Sequence, residues 1–178
     1  IKYKKFGRNY KIFLGKEASL HNLSGFIQSE ILHFAVHSSS RNKVRKESVG
    51  PAIILSNSSK NTDGLFTLDD IKNQLKLDVD LLVLSSCESG TGENIGPQGL
   101  ESLASTFKLI GASEVLYSMW KVDDKKTYYF MKEFYYNLNK TNSTSEALRL
   151  TKINFINHDD PQLSDPFVWA AFNLVGSQ

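Results

Sequence analysis

The sequence predicts an α/β domain in which helices cover both faces of a mostly parallel central sheet. Its 178 residues, 40% of them hydrophobic, are enough for one sizeable core, so we expect a single domain spanning residues 1–178. Short apolar runs alternate with helical patterns along the chain. Two of these runs, Ile31–Val36 and Val79–Ser86, are nearly continuous in apolar residues, which is typical of strands buried on both faces.

The remaining elements follow from local patterns. Thr67 and Ser143 each precede an acidic residue by three positions, as in a capping box, and Gly111 can end a helix in a left-handed conformation. Strands are predicted at Lys11–Leu14, Ile31–Val36, Ala52–Ser56, Val79–Ser86, Glu114–Met119 and Phe167–Val175. Helices are predicted at Lys16–Ile27, Thr67 to Leu75, Leu100–Ile110, Asp123 or Asp124 through Leu138, and Ser143 to Asn157. Polar or glycine-rich loops are predicted at Ser38–Gly50, Asn57–Gly64 and Gly90–Gly99.

Composition excludes several classes of function. The 21 Lys and Arg residues against 19 Asp and Glu residues give a net charge of +2, so nucleic acid and anionic membranes are not expected as direct partners. No apolar run approaches the ~18–20 residues that span a bilayer. The one cysteine, Cys87, excludes an intrachain disulfide framework and a multi-cysteine zinc site, and it fits the reducing cytoplasm. Because the chain begins at Ile1, we expect it to be the C-terminal part of a longer polypeptide.

Two predicted strands end on reactive side chains. Ile31–Val36 leads to His37, and Val79–Ser86 leads to Cys87. In open α/β sheets the functional residues lie at the carboxyl ends of the strands, so parallel neighbours would place both residues at one edge. A cysteine nucleophile needs a nearby base, because only the thiolate attacks efficiently. Each residue alone also fits a structural role, the cysteine as a packing residue and the histidine as a hydrogen-bonded one.

The local sequences around these two residues resemble one family. The stretches His33-Phe-Ala-Val-His37 and Leu84-Ser-Ser-Cys87-Glu-Ser-Gly90 resemble two motifs of the CHAT family of caspase-like cysteine peptidases, relatives of caspases and separase. The resemblance extends from Leu14 to Gly176. It includes Leu14-Gly-Lys-Glu-Ala18, Gly111-Ala-Ser113, Met119-Trp-Lys-Val-Asp-Asp124, Glu146-Ala-Leu-Arg149 and Trp169-Ala-Ala-Phe172.

The resemblance implies a caspase-like sandwich and a cysteine endopeptidase with a His37/Cys87 dyad. Cys87 would form an acyl-enzyme with the scissile carbonyl, and His37 would protonate the leaving amine. The backbone N–H groups of Ser38 and Cys87 would hold the oxyanion. Ser38 replaces the family's usual glycine, and Val36 replaces its usual threonine.

By analogy with separase, the stretch containing Trp120, Asp123 and Asp124 would line the pocket for the residue before the scissile bond. An acidic side chain in that pocket would favour arginine or lysine in the substrate. The alternative is that one of the two aspartates caps the following helix.

The sequence argues against a dinucleotide site and a metal site. The glycines Gly90, Gly92 and Gly96 have a spacing unlike the common dinucleotide fingerprint, so no nucleotide cofactor is expected. A metal pair at His33 and His37 would lack a third ligand, so no metal is expected either. The main alternative is a catalytically inactive scaffold or interaction domain of the same fold. The family resemblance further implies a protein substrate and a regulatory helical-repeat or sensor domain, often in bacterial systems.

Overall fold

The computed structural model describes residues 10–23, 28–41, 48–56, 64–85, 87–88 and 96–176. Within these ranges there are strands β1 (Gln28–Phe34), β2 (His37–Arg41), β3 (Ser48–Ile54), β4 (Leu65–Thr67), β5 (Asp78–Leu84), β6 (Cys87–Glu88), β7 (Ala112–Ser118) and β8 (Phe172–Gly176). The helices are α1 (Leu20–Leu23), α2 (Leu68–Gln74), α3 (Gly96–Leu109), α4 (Asp124–Thr141), α5 (Thr144–Ile156), α6 (Pro161–Ser164) and α7 (Pro166–Trp169), with a 3₁₀ turn at Gly15–Glu17.

The central sheet has the strand order β1-β5-β7-β8. Strands β1, β5 and β7 are parallel, with Leu82 of β5 paired with Leu32 on one side and Val115 on the other. The last strand, β8, runs antiparallel to β7. The mostly parallel sheet predicted from the alternation of apolar runs is therefore confirmed.

Two hydrophobic cores lie on opposite faces of this sheet. Alternate residues of β5 enter different cores: Leu82 and Leu84 pack with α3, whereas Leu81 and Val83 pack with α4 and α5. All four of these side chains are buried. Burial of each aliphatic side chain stabilises the fold by about 1.5–3 kcal/mol, so helix packing on both faces is what keeps β5 in the centre. This arrangement is the caspase-like α/β sandwich that the sequence predicts.

A second, smaller sheet has the order β4-β3-β2-β6. It includes β2, which lies in the segment Ser38–Gly50 that was predicted to be a loop, so that prediction is wrong for residues 38–41 and 48–50; residues 42–47 lie outside the described part. The polar sequence of β2 obscured the strand, because its backbone hydrogen bonds come from neighbours on both sides.

Helix caps were predictable from local sequence. Thr67 Oγ1 accepts from the Asp70 N–H at 3.2 Å, and the Asp70 carboxylate accepts from the Thr67 N–H at 3.0 Å, which completes the predicted capping box. Ser143 caps α5 through the Glu146 N–H. The Glu146 carboxylate, however, binds the Arg149 guanidinium at 2.6 Å instead of returning to the cap.

Three predicted elements differ from the structure. Residues Lys11–Leu14 join neither sheet. The helix predicted over Lys16–Ile27 is a 3₁₀ turn followed by the single turn α1, with residues 24–27 outside the described ranges. The strand predicted over Phe167–Val175 begins only at Phe172, because Asp165 Oδ1 accepts from the Phe167 N–H and Pro166 starts a helical turn.

The predicted loop Gly90–Gly99 is also shorter than expected. Helix α3 begins at Gly96, four residues before the predicted start at Leu100, and residues 90–95 lie outside the described part.

The turn between α3 and β7 depends on Gly111. Its φ is +118°, and a Cβ atom there would lie 1.8 Å from the Leu77 carbonyl oxygen. The chain passes this close because the Leu77 N–H donates to the Ile110 carbonyl at 2.7 Å. Any side chain at this position would therefore push β5 and β7 apart at their amino ends.

Replacement of Gly111 by alanine should lower the free energy of unfolding by at least about 2 kcal/mol, because it adds both backbone strain and a steric clash. The matched control is Gly15→Ala, at φ +54° with open space around the position, where only the left-handed strain of about 1–2 kcal/mol applies. Urea unfolding measures both changes. Equal losses in the two variants would contradict the steric argument.

Candidate functional site

The carboxyl ends of β1, β5 and β7 meet at one edge of the central sheet, because the three strands are parallel. The pairing of β1 with β5 continues one residue past the end of β5, where the Ser85 N–H donates to the carbonyl of Phe34, the last residue of β1, at 3.1 Å. This edge is where α/β sheets place their functional residues. All of the residues that the sequence indicated as site residues follow one of these three strands.

Beyond this edge the structure pairs the positions of His37 and Cys87. Strand β2 runs parallel to β6, with His37 opposite Cys87 and Ser38 opposite Glu88. Neighbouring strands lie about 4.8 Å apart, so the backbones of the two residues are close although 50 positions separate them in sequence. The His37 side chain is exposed at the start of β2.

Ser38 lies inside the second sheet. It has Ile53 as its ladder partner on one side and Glu88 on the other. Its side chain is only 2% exposed, and its Oγ has no hydrogen-bond partner among the described residues. A buried hydroxyl without a partner is destabilising. The buried Ser38 hydroxyl is therefore unfavourable for stability within β2.

Trp120 lies just past β7, at the same edge. Its indole Nε1–H donates to the Phe167 carbonyl at 2.8 Å, and the two aromatic rings lie 5.6 Å apart. The indole is thus fixed against α7 and is only partly buried.

The two aspartates at the start of α4 differ in their contacts. Asp123 is the N-cap: its Oδ1 accepts from the Lys125 N–H at 3.0 Å and from the Lys126 N–H at 3.2 Å. Asp124 is the first residue of the helix, and its side chain is exposed. Of the two aspartates, Asp123 is therefore the one that caps α4.

His33 forms a hydrogen-bonded network that the sequence did not indicate. Its Nε2 is hydrogen-bonded to Ser85 Oγ at 2.7 Å, and its Nδ1 to the Tyr135 hydroxyl at 2.9 Å. Burial lowers the pKa of His33 to about 4, because the charged imidazolium is poorly solvated there. Tyr135 and His33 are 102 positions apart in the sequence, so no local pattern could have revealed the pair.

The same contacts bear on a metal pair at His33 and His37. Both ring nitrogens of His33 are engaged by hydroxyl groups, which leaves no lone pair for a metal ion. Across the described ranges, no cluster of three or more His, Cys, Asp or Glu residues is arranged to hold one.

Fold and edge together place the chain in the class of caspase-like α/β proteins. A family model described as the CHAT domain matches residues 4–177. The chain belongs to the CHAT domain family, which is related to caspase-like peptidases, as the motifs around His37 and Cys87 indicated.

A mouse protein named tetratricopeptide repeat protein 28 is similar to part of this chain. It is 32% identical over 113 residues, which cover 64% of this chain and 4% of the mouse protein. The chain therefore spans a very small fraction of that relative's length. Among the helices within the described ranges, none is both long enough and apolar enough to cross a membrane.

His33 should make stability depend on pH. The pKa of its imidazole is about 4 in the folded state and 6.5 as an ordinary histidine, so between these values the unfolded chain binds a proton that the folded chain does not. The free energy of unfolding should therefore be unaffected above pH 6.5 and fall by roughly 3 kcal/mol as the pH drops towards 4.

The measurement is urea unfolding of the wild-type chain and of His33→Gln at intervals from pH 7.5 to pH 4.5. The glutamine variant keeps a neutral polar side chain but cannot take up a proton, so its stability should fall less over this range. Parallel curves for the two proteins would show that His33 keeps an ordinary pKa.

Proposed function

We propose that this chain is a cysteine endopeptidase that cleaves a protein substrate through a dyad of His37 and Cys87. The observation that supports this most strongly is the parallel pairing of His37 in β2 with Cys87 in β6, in the second sheet beyond the carboxyl edge of the central sheet. Paired positions of adjacent strands share a face of the sheet and lie about 5 Å apart. The parallel register therefore places the backbones of the candidate base and the candidate nucleophile next to each other.

The reaction proceeds through two acyl transfers. The Cys87 thiolate attacks the scissile carbonyl carbon, and the backbone N–H groups of Ser38 and Cys87 stabilise the resulting oxyanion. The C–N bond breaks as His37 gives its proton to the leaving amine, which produces a thioester. His37 then takes a proton from water, whose oxygen attacks the thioester and releases the acid product and the free thiol.

The environments of the two histidines favour His37 as the catalytic one. His33 has both ring nitrogens hydrogen-bonded and a pKa of about 4, so it binds no proton at neutral pH. His37 is exposed at the sheet edge, where a substrate can reach it. A general acid must come within hydrogen-bond reach of the atom that it protonates, which an exposed side chain permits.

A preference for arginine or lysine before the scissile bond is the second part of the proposal. We assign the role of cation partner to Asp124, which is exposed at the first position of α4. Trp120 would form the wall of the same pocket, with its indole held in place by the Phe167 carbonyl. An aromatic face beside a carboxylate is a favourable site for a cationic side chain.

A helical-repeat domain is the partner we propose for control of the site. The mouse relative is named as a tetratricopeptide repeat protein, and the matched region is 4% of its length. Such a domain, in the same polypeptide or in a complex, would restrict access of protein substrates to the edge that carries His37.

The dyad predicts unusual reactivity of Cys87. At pH 7 iodoacetamide should alkylate it faster than a free thiol, because an imidazolium beside a thiol lowers the thiol's pKa. His37→Ala should slow alkylation by about 10-fold or more. Mass spectrometry of the timed reaction measures both rates.

The matched control is His158→Ala, since His158 is an exposed histidine on the connection between α5 and α6. Its alkylation rate should equal that of the wild-type chain. If Cys87 becomes reactive only after unfolding, or if His37→Ala leaves the rate unchanged, the dyad is refuted and the scaffold alternative is favoured.

Fluorogenic peptides test the specificity. Peptides with arginine before the cleaved bond should have a higher kcat/KM than otherwise identical peptides with norleucine. Asp124→Asn should lower kcat/KM for the arginine peptide by about 10-fold and leave the norleucine peptide unaffected, because an ion pair is lost. Asp123→Asn is the control, since asparagine is an equally good cap. Equal cleavage of both peptides by the wild-type chain would refute the acidic pocket.

A further inference from the structure

The network of Tyr135, His33 and Ser85 joins helix α4 to the segment that leads to Cys87. Tyr135 lies in the core on the α4 face of the sheet, and His33 lies in β1 beside Val83 of β5. Ser85 follows the last residue of β5 and precedes Cys87 by two positions. Three parts of the chain that are distant in sequence therefore meet at one imidazole ring.

Ser85 is held to β1 by two hydrogen bonds. Its backbone N–H donates to the Phe34 carbonyl at 3.1 Å, and its Oγ is hydrogen-bonded to His33 Nε2 at 2.7 Å. After Phe34, the last residue of β1, two residues lead to His37 at the start of β2. The segments that carry the two dyad residues are thus tied to each other immediately before they reach them.

The chemistry of the imidazole suits this position. A neutral imidazole has one nitrogen that donates and one that accepts, and each hydroxyl group can do either. The network is therefore satisfied without any charge. The two ring nitrogens of His33 reach one hydroxyl group each, that of Ser85 and that of Tyr135.

We propose that His33 is a positioning residue, which uses the Tyr135 hydroxyl as its anchor to hold Ser85 and so fixes the approach of Cys87 to His37. The proposal rests on the peptidase function proposed above and assigns its alignment to a residue that does not touch the substrate. Misplacement of a reacting group by about 1 Å can reduce a rate by up to about 100-fold, so the loss of one tether should be measurable.

Two neighbouring tyrosines of α4 provide the test of this proposal. Tyr135→Phe removes the anchoring hydroxyl and leaves the ring in the core, whereas Tyr136→Phe removes a hydroxyl from a side chain that is 54% exposed. Tyr135→Phe should lower the His37-dependent alkylation rate of Cys87 by about 10-fold and shift the pH profile of alkylation upwards towards that of an ordinary thiol. Tyr136→Phe should match the wild-type chain in both measurements.

Ser85 provides a second pair of variants. Ser85→Ala should reduce the alkylation rate by a similar factor, and Ser85→Thr, which restores a hydroxyl group, should recover most of that loss. A structural role alone would not predict this recovery or the shifted pH profile. An unchanged rate and profile in both Tyr135→Phe and Ser85→Ala would overturn the proposal while leaving the dyad intact.

Hydrogen exchange tests the positioning role of His33 independently of the proposed His37/Cys87 dyad. If His37→Ala does not slow alkylation in the wild-type background, the dyad has failed, and the backbone amides from Ser85 to Glu88 still report on the tether. Faster exchange of these amides in Tyr135→Phe than in Tyr136→Phe would support the positioning role of His33. Equal exchange in the two variants would refute that role whatever the reactivity of Cys87.

Discussion

The parallel pairing of β1 with β5 is the constraint on which the rest of the structure depends. Six residues of β1, from Gln28 to Phe34, have register partners in β5, and the backbone hydrogen bond from Ser85 to Phe34 extends the pairing past the end of β5. Once this register is set, the residues that follow cannot separate far. The pairing of His37 with Cys87 in the second sheet continues a geometry that the central sheet has already fixed.

Burial on both faces protects that register. A slip of β5 by one residue would move Leu82 and Leu84 to the face occupied by Leu81 and Val83, and the helices on both sides would then meet the wrong side chains. The cost would be spread over two cores, so the strand has no favourable alternative position. Precision at the edge of the sheet is therefore a consequence of packing in its middle.

Sequence alone could predict this central part because its signals are local. The apolar run that became β5 and the caps at Thr67 and Ser143 all depend on neighbouring residues. The polar strand β2 was missed, since its stability comes from partners that are distant in sequence. The contact of His33 with Tyr135 was missed for the same reason, and only the structure showed which aspartate caps α4.

His33 and His37 lie four positions apart in one motif, but the fold gives their side chains different surroundings. His33 sits among apolar side chains, where desolvation lowers its pKa to about 4 and two hydroxyl groups satisfy its neutral ring. His37 begins an edge-adjacent strand and faces solvent. The change occurs across Ala35 and Val36, where the chain leaves the central sheet for the second one. Water or a substrate can reach the exposed ring of His37. The ring of His33 stays neutral, so its two hydrogen bonds persist. The two residues between the sheets therefore separate a hydrogen-bonded, partly buried environment from a solvent-exposed one.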